Sequence, residues 1–173
     1  MNRSASSMPS RRVTAMERAL PALTIATTSV TPAARTRSRV VSAAEPSVYE
    51  ELTARQRRHD AEHGFCLWTM VGPEDEVLGF TGAQPWPHAW GPTGQIEIGW
   101  RLGRAHWGKG YVTAAALTTL ERVRAAGVTD VVAMVNAGNA RSIAVTKRLG
   151  MELAERFTLP SSRQEGHRYR LAL

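Results

Sequence analysis

The segment Gly103-Arg104-Ala105-His106-Trp107-Gly108-Lys109-Gly110-Tyr111 lies between a run that reads as a strand and one that reads as a helix. Glycines at 108 and 110 allow successive backbone N–H groups to point at one spot. The start of the following helix adds its positive end, which together make an anion cradle suited to phosphate. The spacing nearly spells a P-loop, with Gly103, Gly108 and Lys109 in place, but Gly110 stands where a Ser or Thr hydroxyl must hold magnesium. No apolar run ending in Asp follows as a metal partner, which argues against an NTPase. A dinucleotide fingerprint fails as well, because Thr113 occupies the position of its third glycine. A tight strand-to-helix turn that binds nothing explains the same glycines, and both readings stay open at this level. Elsewhere, His88 has no Cys or His partner at metal spacing, so no metal site is expected. Cys66 reads as a small buried residue and not as a nucleophile.

Positioning such a loop requires a sheet. Ser47 and Glu50 form a capping pair and Gly64 a stop, predicting a helix over 48–63. Strands are expected over 65–71 and 77–82, paired as a hairpin across Gly72-Pro73-Glu74-Asp75. Residues 83–95 then read as a loop carrying Trp86, His88 and Trp90, long for a simple connection. A strand over 96–102, a helix over 112–126 ended by Gly127, and a strand over 130–135 follow. A helix over 140–149 opens at Asn139 and closes at Gly150, and strands over 152–157 and 167–173 complete the chain. The fold class is α/β (α+β), a single sheet with helices packed on it.

The 173 residues carry a formal net charge of +7, but the charge is unevenly placed. Residues 1–44 hold Arg3, Arg11, Arg12, Arg18, Arg35, Arg37 and Arg39 against Glu17 alone, a balance of +6 that leaves the rest near neutral. The folded part is therefore no basic nucleic-acid reader. Residues 1–45 are rich in Ser, Thr, Ala and Pro and read as a segment of low order preceding a domain at 46–173. A solvated tail, a transit peptide and a nucleic-acid-contacting arm all fit that composition. Short strands could form within it at Leu23 to Val30 and Arg39 to Ser42. A lone cysteine excludes an intrachain disulfide and fits a reducing cytoplasm. No run of 18 apolar residues exists, and residues 1–30 lack the pattern of a secretory signal, so neither a membrane span nor classical export is expected.

Three motifs occur in order: Glu97-Ile98-Gly99-Trp100-Arg101-Leu102, then Trp107-Gly108-Lys109-Gly110-Tyr111-Val112-Thr113, then Asn139-Ala140-Arg141-Ser142 leading to Lys147-Arg148-Leu149-Gly150-Met151. Together they resemble the GNAT superfamily of N-acetyltransferases, and more narrowly its RimJ/RimL branch. Gly64-Phe65 and Gly79-Phe80-Thr81-Gly82 fit as well, so the resemblance spans about residues 46–173. It departs at Trp107, where the family's phosphate loop carries Gln or Arg, and at Val112, where it ends on a small residue. The resemblance implies a GNAT-like mixed sheet and acetyl-CoA as co-substrate, with no metal. The pantetheine arm would pair with the strand at Ile98, Trp100 and Leu102, and the pyrophosphate would sit on Trp107, Gly108, Lys109, Gly110, Tyr111 and Val112. Asn139 and Ser142 would also touch the cofactor. Glu97 would take the proton of a primary amine, either a small molecule or a protein N-terminus, and Ser142 would protonate the departing thiolate. Trp86, His88 and Trp90 would wall the acceptor pocket. A homodimer is compatible with this reading. Blander readings stand beside each assignment: a solvated strand residue for Glu97, helix caps for Asn139 and Ser142, core for Trp100, an aromatic loop folded on the sheet edge for 86–90, and a CoA-binding module without transferase activity for the whole.

Overall fold

A computed structural model describes residues 24–26, 46–160 and 162–173, with the backbone alone at 24–26 and 46–49. The elements in chain order are β1 (Thr24–Ala26), α1 (Pro46–His63), β2 (Leu67–Val71), β3 (Val77–Pro85), β4 (Ile96–Leu102), α2 (Tyr111–Ala125), β5 (Asp130–Asn136), α3 (Ala140–Arg148), β6 (Glu152–Thr158) and β7 (Glu165–Ala172). A 3-10 turn at Arg104–His106 stands between β4 and α2, an element with no sequence expectation behind it. The strands form one mixed sheet in the order β1-β2-β3-β4-β5-β7-β6. Thr24–Ala26 fall inside the expected strand Leu23 to Val30 and pair with Thr69–Val71. The expected strand Arg39 to Ser42 lies outside the described residues, and α1 opens at Pro46, two residues ahead of the expected start, so that Ser47 falls within the helix and not at its cap.

Local chemistry sets the boundaries. The β2–β3 turn closes with the Gly72 N–H donating to the Glu76 carbonyl at 2.8 Å, and Asp75 takes the left-handed region (φ 58°), which its short polar side chain tolerates. β3 runs three residues beyond the expected end at Gly82, because Ala83, Gln84 and Pro85 stay in register with Ile98, Glu97 and Ile96. The expected loop at 83–95 is thereby reduced to 86–95. Helix α2 begins at left-handed Gly110 and ends before Gly127 (φ 83°). Ala115, Ala116 and Val123 on its inner face are fully buried, and these small residues let the helix lie close to the sheet. The hydroxyl of buried Thr119 stays satisfied by donating to the Ala115 carbonyl at 2.9 Å.

The main core joins Trp68, Ala83, Ile98, Val131, Ala133 and Val135 of the sheet to Ala116, Leu120 and Val123 of α2, with Leu149 and Met151 just beyond α3. Side chains alternate along a strand, so Ile98, Trp100, Ala133 and Val135 share the face covered by α2 and α3, while Glu97, Met134 and Asn136 point to the opposite face. One sheet junction is irregular. β4 and β5 are parallel neighbours paired at Glu97 with Val132 alone, and beyond that point the strands part. Residues 98–102 thus keep β3 as a partner on one side and have no strand on the other.

Candidate functional site

The parting of β4 from β5 opens a cleft of about 840 Å³ on the α2–α3 side. Trp100 and Leu102 line one wall, Met134, Val135 and Asn136 the other, and the start of α2 closes the end. The loop ahead of α2 is built as its glycines require: Gly108 (φ 77°) and Gly110 (φ 81°) are both left-handed, a conformation that β-branched residues rarely hold. Gly110 caps α2 without a side-chain bond, so the first N–H groups of the helix face the cleft end unsatisfied by any cap. Trp107 is fixed from two sides. Its indole N–H donates to the Leu102 carbonyl at 2.9 Å, and the Arg141 guanidinium stacks 4.4 Å from its ring centroid, linking α3 to the loop.

Of the residues expected at a cofactor, the cleft collects Trp100, Leu102, Trp107, Gly108, Gly110, Tyr111, Val112, Asn139 and Ser142. Lys109 is not among its lining, and Ile98 is buried in the core, reaching only a smaller neighbouring cavity. The Tyr111 side chain is itself packed with Met70, Leu78 and Ala115 in a second core cluster. Asn139 caps α3, accepting from the Ser142 N–H at 3.1 Å. The Ser142 hydroxyl turns the other way and accepts from the Trp100 indole at 3.3 Å, so its own O–H is free to donate. Arg101, Arg141 and Arg148 add positive charge around the cleft and had no place in the sequence reading beyond their motifs.

On the opposite face of the sheet a cavity of about 320 Å³ is walled by Trp86, His88 and Trp90, the residues expected at an acceptor, and also by Phe157 and Leu159. The aromatic wall is self-supporting. His88 stacks on Trp90 at 5.5 Å, Trp86 meets both rings edge-on, its indole N–H donates to the Trp90 carbonyl, and Trp90 reaches Phe157 of β6 at 5.9 Å. Glu97 sits on the floor of this cavity. A third cavity of about 270 Å³ borders both, sharing Glu97 and Met134 with the aromatic cavity and Trp100 and Ser142 with the cleft, and is also lined by Gly99. Gly99 faces open space there, since a Cβ on it would meet nothing within 4 Å.

Glu97 has no ion-pair partner among the described residues, and burial pushes its carboxyl up to about 7 from the usual 4.5. A carboxyl poised there can exchange a proton near neutrality. Cys66 is buried and its thiol is pushed up to about 12, first by burial and then by nearby Asp60, so it is inert as the sequence implied. No cluster of metal-ligating side chains occurs among the described residues, and no described helix is long and apolar enough to cross a membrane.

Residues 20–152 match the family model described as acetyltransferase (GNAT) domain. The L-methionine sulfoximine/L-methionine sulfone acetyltransferases of Pseudomonas aeruginosa and Pseudomonas paraeruginosa are each 31% identical over 106 residues, 60% of this chain and 62% of theirs. The match thus spans less than two thirds of these relatives. Among solved structures, the Salmonella typhimurium acetyltransferase yncA with its cofactor acetyl-CoA superposes with a TM-score of 0.60 at 18% identity, over 72% of this chain and 73% of that one. Ribosomal-protein-alanine N-acetyltransferase from Brucella melitensis gives 0.59 at 19% identity, over 71% and 78%. These two likenesses bear on the fold.

Proposed function

We propose, from the premise that this chain belongs to the GNAT acetyltransferase domain family, that it transfers acetyl from acetyl-CoA to a primary amine by direct attack, within a unit at residues 46–173 to which β1 at Thr24–Ala26 adds an edge strand. The observation that carries the reading is the position of Glu97, which lines both the aromatic cavity and the small cavity that borders the cleft. An amine in the first and a thioester in the second would meet beside its carboxylate.

The cleft suits the co-substrate on its own terms. Left-handed Gly108 and Gly110 at the positive end of α2, with Arg101, Arg141 and Arg148 nearby, fit a pyrophosphate-bearing ligand. The β4 edge beyond Glu97 fits an extended pantetheine arm, which would replace the missing strand partner. Bound acetyl-CoA supplies an activated acyl group. The chain's own residues then hold and move protons. Glu97 removes the proton that makes an ammonium unreactive, and a free backbone N–H of β4 stabilises the oxyanion formed on attack. Ser142, its acceptor lone pair engaged by the Trp100 indole, donates its hydroxyl proton to the departing sulfur.

A RimJ/RimL-like acceptor range, small-molecule amines or protein N-termini, is in keeping with the names of the methionine sulfoximine and ribosomal-protein-alanine acetyltransferases that the chain resembles. A cytoplasmic setting is supported by the single reduced Cys66, and a homodimer is compatible with the exposed edge strand β6. The test is acetyl-CoA-dependent release of thiol with an amine panel, with acetylated product identified by mass. Thiol release that no amine accelerates, in protein that binds acetyl-CoA, would overturn transfer in favour of a binding module.

Ser142→Ala is expected to lower kcat only about 3- to 10-fold, the worth of one hydrogen bond, since water can protonate a thiolate whose reference pKa is about 8.5. Single-turnover kinetics check this. A loss as large as that from removing Glu97 would show that Ser142 does more than deliver a proton.

A further inference from the structure

Gln84 stands directly opposite Glu97 across the β3–β4 pair and lines the same two cavities. Directly opposed residues of an antiparallel pair share a face, so the amide and the carboxyl project side by side. The orientation of the Gln84 amide follows from a chain of bonds that begins at the backbone. The Leu67 N–H can only donate, and it donates to Gln56 at 2.9 Å, so the receiving atom is the Gln56 oxygen. The Gln56 nitrogen must then be the donor to Gln84 at 2.7 Å, which makes the receiving atom the Gln84 oxygen. With its oxygen engaged, Gln84 has two N–H donors left, and among the described residues neither has a partner. Gln56 is buried on α1, so this setting is held from inside the fold.

Resting on the transferase reading above, we infer that Gln84 is an acceptor-positioning residue, whose N–H groups grip a hydrogen-bond-accepting oxygen on the substrate while the amine lies at Glu97. The pair offers one donor group and one acceptor group on a single wall. An amine bearing a carbonyl oxygen on the neighbouring carbon matches both at once, whereas a plain alkylamine matches the carboxylate alone. Gln56 sets which atom of Gln84 the substrate meets, although it lies behind the wall.

The experiment compares kcat/KM for L-phenylalaninamide and 2-phenylethylamine, which differ in the carboxamide. Each variant is read as the ratio of the two relative to wild type, so that the different basicities of the amines cancel. Gln84→Leu should lower that ratio about 10-fold, the upper range for one hydrogen bond. Gln56→Glu is the sharper test. The introduced carboxylate still accepts from the Leu67 N–H but can no longer donate, so the Gln84 amide must turn over and present its oxygen to the cavity. The ratio should fall about as far as in Gln84→Leu, an effect that a merely structural role for Gln56 would not produce. Ratios within 2-fold of wild type in both folded variants would overturn the inference and leave the transferase reading intact. A wild-type protein that acetylates other amines of the panel but prefers 2-phenylethylamine to L-phenylalaninamide overturns the inference alone, and one that binds acetyl-CoA and acetylates no amine of the panel overturns the transferase reading and this one with it.

Discussion

Glu97→Gln is expected to cut turnover at neutral pH about 10²-fold, the usual worth of a general base. The amide keeps the size of the side chain and cannot accept a proton from an ammonium. Because burial pushes the carboxyl up to about 7, wild-type kcat/KM should climb as pH rises through that value and the base ionises. The variant should lack that limb and retain only the rise at higher pH, where the amine loses its proton unaided. The same substitution has a second readout. A carboxyl raised on folding stabilises the fold fully below its ordinary pKa, and the contribution is lost as pH rises through the folded value. Above about pH 7 the wild type therefore carries a cost, on the order of 3 kcal/mol, that the glutamine does not. Glu97→Gln should melt higher than wild type at pH 8 and about equally at pH 4. A variant with the wild-type rate across the pH range would remove Glu97 from the chemistry.

Gly110→Val is expected to weaken acetyl-CoA binding about 10- to 100-fold. Gly110 holds φ 81° at the cap of α2, and a β-branched residue there carries a strain of roughly 1–3 kcal/mol. The loop can relieve that strain only by rotating the N–H groups away from the cleft end. Gly127→Val is the matched control, because Gly127 has φ 83°, lies at the far end of the same helix and faces open space. Both should lose comparable stability, and only the first should lose cofactor affinity by calorimetry. Unchanged affinity in folded Gly110→Val would show that the loop is simply a turn.

Elements with local punctuation were legible from the chain alone. Helices α2 and α3 fall within a residue of the boundaries that Gly127, Asn139 and Gly150 imply, and each expected strand from β2 to β7 is present. The Gly108-Lys109-Gly110 loop was readable for the same reason, since left-handed backbone demands glycine locally. What escaped depends on distant pairings. Nothing near Glu97 or Val132 announces that their strands meet once and part, and nothing near Glu165 places β7 between β5 and β6. Arg141 over Trp107, Phe157 beside Trp90 and Gln56 behind Gln84 are contacts between residues 28 to 67 apart in sequence. Lys109 was assigned with its loop through the run of backbone N–H groups, yet it lies outside the cleft lining. The aromatic residues of the 86–90 loop stood out by type, while the cavity they share with Glu97 depends on the β3–β4 register and was not legible.

The single-pair junction between β4 and β5 also makes the fold incomplete by itself. A sheet that forgoes its ladder over residues 98–102 forgoes hydrogen bonds and packing that an uninterrupted sheet would have. An extended ligand restores part of both, so occupancy and stability are linked. At 100 times its dissociation constant, a ligand that binds only the native state adds about 2.7 kcal/mol. Under the transferase reading, acetyl-CoA at that excess should raise the melting temperature of the protein, and a ligand that does not reach the β4 edge should raise it less.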